Sequence, residues 1–63
     1  MTFGERVRML RLHRGMSLQN LATKTGLSLS FLCRVELNKV NPTKKTMENI
    51  AYELGAVVSL TPL

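Results

Sequence analysis

Residues 21–36 read "LATKTGLSLSFLCRVE". Leu21 and Ala22 belong to one apolar stripe, Gly26 interrupts it, and Phe31, Leu32 and Val35 resume it at helical spacing. The spacing predicts two short helices meeting at a glycine turn. On the second helix Ser28, Ser30, Cys33, Arg34 and Leu37 fall opposite the apolar face, so the predicted outer stripe is mostly short polar side chains with a single arginine. Counted from Leu18, alanine stands fifth, glycine ninth, and Leu32 and Val35 fifteenth and eighteenth. A small residue lets two helices approach, glycine accepts a tight turn between them, and the later apolar pair anchors the second helix on the first.

The flanks continue the helical pattern. Thr2 and Glu5 have capping-box spacing, and Phe3, Val7 and Leu10 recur at helical intervals until Gly15, with His13 and Arg14 in the last turn, where they suit the helix dipole. Ser17 is the N-cap candidate for a second helix closed by Thr25 and Gly26, and a third runs from Ser28 to Leu37. "NKVNPTKK", residues 38–45, combines Asn38, Asn41 and Pro42 with three lysines and reads as an exposed basic loop. Thr43 caps a fourth helix through Met47, Ile50, Ala51 and Leu54, with Gly55 at its end. The tail departs from this pattern: Val57, Val58 and Thr61 are β-branched, and Pro62 stops further pairing. The expected fold is all-α, a small bundle of four to five helices over residues 1–55, followed by a short strand within residues 56–63. A lone strand needs a partner for its backbone groups. Val57, Val58, Ser59, Leu60 and Thr61 are therefore expected to pair with a second copy, as a two-stranded ribbon across a homodimer.

With 63 residues there is room for one domain and a thin core. Nine Lys and Arg against four Asp and Glu give a net charge of +5, which favours a polyanionic partner, nucleic acid first. No apolar run has the length of a membrane span, and Glu5, Arg6 and Arg8 interrupt what would be a secretory signal. One cysteine allows no internal disulfide, which fits a cytoplasmic protein. His13 is the only histidine and has no second ligand at metal spacing, so it reads as a helix-end residue, with no metal or cofactor expected. Cys33 reads as a passive small side chain in preference to a redox switch. No Ser-His-Asp set, supported carboxylate pair or phosphate-cradling glycine loop is present, and no enzyme is expected.

The stretch "RVRMLRLHRGMSLQNLATKTGLSLSFLCRVELNKVNPT", residues 6–43, and "IAYELG", residues 50–55, resemble the Cro and cI repressor (XRE) family of λ-repressor-like helix-turn-helix domains. The family's pattern is present as Gly15-Met16-Ser17, Leu21-Ala22, Gly26-Leu27-Ser28, Arg34-Val35-Glu36 and Asn41-Pro42. The resemblance implies a transcriptional regulator, a repressor, that binds double-stranded DNA as a homodimer. In it the third helix enters the major groove with Ser30, Cys33 and Arg34 toward base edges. Arg34 is long enough to donate to both O6 and N7 of a guanine. Ser17, Leu18 and Ser28 at helix starts, with Lys24, Lys39, Lys44 and Lys45, are the candidate phosphate contacts. Arg11 and Glu36 correspond to an ion pair that ties the first helix to the end of the third. Leu18 and Leu29 depart from the family, standing where glutamine is frequent. Three readings stay open: Leu29 touching a thymine methyl, a weakened or retuned specificity, or an apolar patch of Leu18, Leu29 and Leu37 for a protein partner. The tail resembles the C-terminal strand of HipB-like antitoxin repressors, so the rival function is an antitoxin-like module whose main partner is a toxin or another protein.

Overall fold

The computed structural model describes residues 1–56, so the expected strand of residues 57–61 lies outside the described residues. Among the described residues four helices follow one another: α1 (Phe3–His13), α2 (Leu18–Thr25), α3 (Leu29–Glu36) and α4 (Lys44–Glu53). Each begins on a hydroxyl that accepts an otherwise orphaned N–H: Thr2 from Glu5, Ser17 from Asn20, Ser28 from Phe31 and Thr43 from Thr46. Thr2 and Glu5 form the full capping box. The Thr2 N–H donates to Glu5 Oε1 at 2.9 Å, and this bond to the charged form holds the Glu5 carboxyl below its ordinary value. Ser17 and Asn20 form a second box, in which asparagine takes the returning role.

Three of the four helices also end alike. After α1, α3 and α4 the chain turns through a left-handed residue, Gly15, Asn38 and Gly55 respectively. The next N–H reaches back five residues along the helix, as in Met16 to the Arg11 carbonyl and Lys39 to the Arg34 carbonyl. Asn38, at φ 61°, does at the end of α3 what glycine does elsewhere, because its short polar side chain tolerates this conformation.

Val7, Leu21, Ala22, Leu32, Val35, Ile50 and Leu54 form the buried core, one or two residues from every helix. The apolar face predicted for the third helix is confirmed: Leu32 and Val35 are buried and Phe31 packs against the core half-buried. Two expectations need correction. Ser28 and Leu37 are caps flanking α3 and not helical residues themselves. The segment 38–45 is only partly an exposed loop: Val40 packs on the core, and Lys44 and Lys45 are the first two residues of α4, because Thr43 already caps that helix.

Two contacts fix α3 on α1. Gly4 is buried, and a Cβ placed there would sit 2.1 Å from the Val35 backbone carbonyl oxygen, so the two helices touch where a side chain is missing. One turn from the other end of α1, Arg11 grips Glu36 in a fork, Nε to Oε2 at 2.7 Å and Nη2 to Oε1 at 3.0 Å. Its remaining Nη1 donates to the Met16 carbonyl at 3.0 Å, which ties in the turn after α1. Both side chains are mostly covered, at 12% and 7% exposure, and the carboxylate holds the Arg11 guanidinium protonated even more firmly than usual.

Gly4→Ala is expected to lose about 2–4 kcal/mol of stability, since backbone cannot yield to the new methyl as a side chain could. Thermal unfolding followed by circular dichroism measures it. Glu36→Ala leaves a covered guanidinium without its counter-charge and is expected to cost about 2–3 kcal/mol. Equal melting of mutant and parent would refute the structural role of the pair.

Candidate nucleic-acid interface

The turn between α2 and α3 is held from both sides. Gly26 adopts φ 75°, a left-handed conformation that a residue with a Cβ enters only at a cost of about 1–2 kcal/mol. The Thr25 hydroxyl donates to the Leu21 carbonyl at 2.8 Å and accepts from the Leu27 N–H at 3.3 Å, bracing the backbone across the glycine. From α4, Asn49 Nδ2 donates to the Thr25 carbonyl at 2.9 Å. From the sequence Thr25 was placed at the end of α2 without this bracing role, and Asn49 was not identified at all. A threonine before a helix-ending glycine is a weak local signal, and the Asn49 contact spans 24 residues that only the fold brings together.

With this turn fixed, α3 shows the outer face that the sequence predicted. Ser28, Leu29, Ser30, Cys33, Arg34 and Leu37 are all exposed, against buried Leu32 and Val35 behind them. The structure thus brings Leu29, Ser30, Cys33 and Arg34 together on one accessible surface. Leu18 and Gln19, the first residues of α2, join Leu29, Ser30, Cys33 and Arg34 around a shallow open hollow whose lining is almost wholly apolar. Gln19 had no role in the sequence reading. Of the three leucines read as a possible apolar patch, Leu18 and Leu29 line this hollow, Leu18 half-buried against the core, and Leu37, the C-cap of α3, is not among its lining residues.

Arg34 and the four candidate phosphate-contacting lysines fall into two groups. Lys24 and Arg34 lie in the last turns of α2 and α3, and Lys39 follows the end of α3, positions where the dipole itself favours positive charge. Lys44 and Lys45 occupy the first turn of α4, where the dipole opposes them, and no acidic residue accompanies them there. The first turns of α2 and α3 carry no acid either. Their caps use only the third N–H, so the N–H groups of Leu18, Gln19, Leu29 and Ser30 have no partner within their helices. Three positive helix ends thus stay without local negative charge, whereas α1 has Glu5.

This braced α2–turn–α3 unit agrees with what the whole chain matches. The family described as helix-turn-helix matches residues 7–60. The chain belongs to the helix-turn-helix family. Among curated proteins, this helix-turn-helix chain is similar to the immunity repressor protein of Bacillus phage phi105, 39% identical over 59 residues, covering 94% of the chain and 41% of that protein. It is also similar to the HTH-type transcriptional regulator DdrOP3 of Deinococcus deserti, 33% identical over 54 residues, covering 86% of the chain and 42% of that regulator. The chain therefore spans about two fifths of the length of these curated relatives. No helix among the described residues is long and apolar enough to cross a membrane.

Asn49→Ala should cost about 1 kcal/mol through the lost hydrogen bond to the turn. Amide exchange around Leu27 should quicken more than in α1, and exchange that changes uniformly would refute the bracing role.

Proposed function

We propose that this helix-turn-helix chain is a transcriptional regulator that binds double-stranded DNA sequence-specifically and represses by occupying a promoter. The supporting observation is the α3 outer face: small side chains at Ser30 and Cys33 let the helix approach base edges, and Arg34 is the one long donor among them. Leu18 and Ser28 present helix-start N–H groups to phosphates, Ser17, whose own N–H is held by Asn20, offers its hydroxyl, and Lys24, Lys39, Lys44 and Lys45 supply the flanking charge. Lys44 and Lys45 carry the most weight among the cations, because their own helix disfavours them and a nearby polyanion removes that cost. Both relatives have repressor or regulator names, and this weighs for DNA over a toxin or other protein as the principal target.

A homodimer on a two-half-site operator belongs to the same reading. Residues 1–55 form the DNA-binding domain in it, and the β-branched run from Val57 to Thr61 is its sequence candidate for the dimer contact. Met9 and Leu12, one helical turn apart on α1, are 47% and 56% exposed and add apolar surface for a second copy.

Selection from a random duplex library tests this function. A half-site motif should be enriched, and binding should weaken steeply with salt. Arg34→Ala is expected to lose preference at one or two base pairs, worth about 1–3 kcal/mol each, whereas Lys44→Ala should weaken all sequences about equally. Absence of any enriched motif would overturn sequence-specific binding.

A further inference from the structure

The hollow on the outer face is unusual in its chemistry. It sits between the starting ends of two helices and beside an arginine, a setting that suits anions, yet the surface it offers is almost wholly apolar. Leu29 stands at 44% exposure at one side of it. Leu18 forms the other side and is held in place by its packing on the core, so half of the notch is rigid. Among the described residues no ion pair or hydrogen bond occupies the Arg34 side chain, and its donors are free at the rim. An occupant must therefore present a small apolar projection next to hydrogen-bond acceptors, on a body that tolerates the cation of Arg34.

In the major groove of duplex DNA one group has that description, the C5-methyl of thymine, and guanine supplies the O6 and N7 acceptors beside it. We propose that Leu18 and Leu29 form a methyl-reading subsite that takes the C5-methyl of a thymine on the base pair adjacent to the guanine held by Arg34. The inference rests on α3 being the helix that enters the major groove, and it specifies what this chain reads there. Both leucines contribute through shape and dryness. A methyl seated between them leaves water, whereas an unmethylated pyrimidine leaves the notch hydrated or empty. Cys33, on the same lining, adds a small polarizable wall without a charged group that would favour water.

Single replacements of thymine by deoxyuridine in the selected duplex remove the methyl and leave base pairing unchanged. At one thymine per half-site, beside the guanine whose identity Arg34→Ala ceases to discriminate, deoxyuridine should raise Kd about fourfold, the worth of one buried methyl. Leu29→Ala protein should bind the thymine and deoxyuridine duplexes alike at that position. Because Leu29 is exposed, this variant should melt with the parent, which circular dichroism checks. Equal binding of thymine and deoxyuridine at every position would overturn the subsite while leaving the enriched motif, and hence DNA recognition, intact. So would a half-site with no thymine beside the guanine, or a methyl effect undiminished in Leu29→Ala. Failure to enrich any motif would overturn the subsite together with the function on which it rests.

Discussion

The bond on which the arrangement depends is the fork between Arg11 and Glu36. Most of what joins these helices is non-directional: Val7, Leu21, Leu32, Val35 and Ile50 would tolerate small rotations of α3 with little loss of buried area. A bidentate guanidinium–carboxylate contact does not, because both of its bonds must be kept at 2.7 and 3.0 Å in one plane. It grips the last residue of α3 from α1, and the Met16 carbonyl satisfies a further donor of the same guanidinium. At the opposite end of α1, the missing side chain of Gly4 lets the Val35 carbonyl seat directly on the helix. Between these two contacts α3 has one rotation, and that rotation puts Arg34 outside.

The turn before α3 is constrained with equal economy. Thr25 bridges from the Leu21 carbonyl to the Leu27 N–H, and Asn49 reaches the same place from α4. A domain with so small a core gains little from burial alone, so local caps and polar clasps carry a large share of its definition. All four helices have a hydroxyl cap, and none of the described buried side-chain polar atoms lacks a partner.

The surface departs from good helix design where function is proposed. A chain arranged for stability alone would place acids at the starts of α2, α3 and α4 and keep lysines from the first turn of α4. It would also not leave Leu29 and Leu37 at 44% and 54% exposure on the outer face of α3. The acid-free starts of α2 and α3 and the exposed Leu29 lie on the outer face of the helix-turn-helix unit, as expected where a polyanion is the missing neighbour.

The helices and three of their caps were legible in the sequence because their causes are local: Thr2, Ser17 and Thr43 each act within three residues, and the apolar stripe through Leu32 and Val35 follows from helical period alone. The outward face with Ser30 and Arg34 was legible for the same reason, and the Arg11–Glu36 pair came from family resemblance. Gly4 carried no signal, since a glycine inside a helix reads as a mere weakness until the carbonyl that needs its space is known. Asn49 on the turn and Gln19 beside Leu18 were silent likewise. That Leu18 shares a hollow with Leu29 was decided by tertiary structure alone. Short-range hydrogen bonding and period are written in consecutive residues, whereas which side chains share a hollow depends on the angle at which two helices meet.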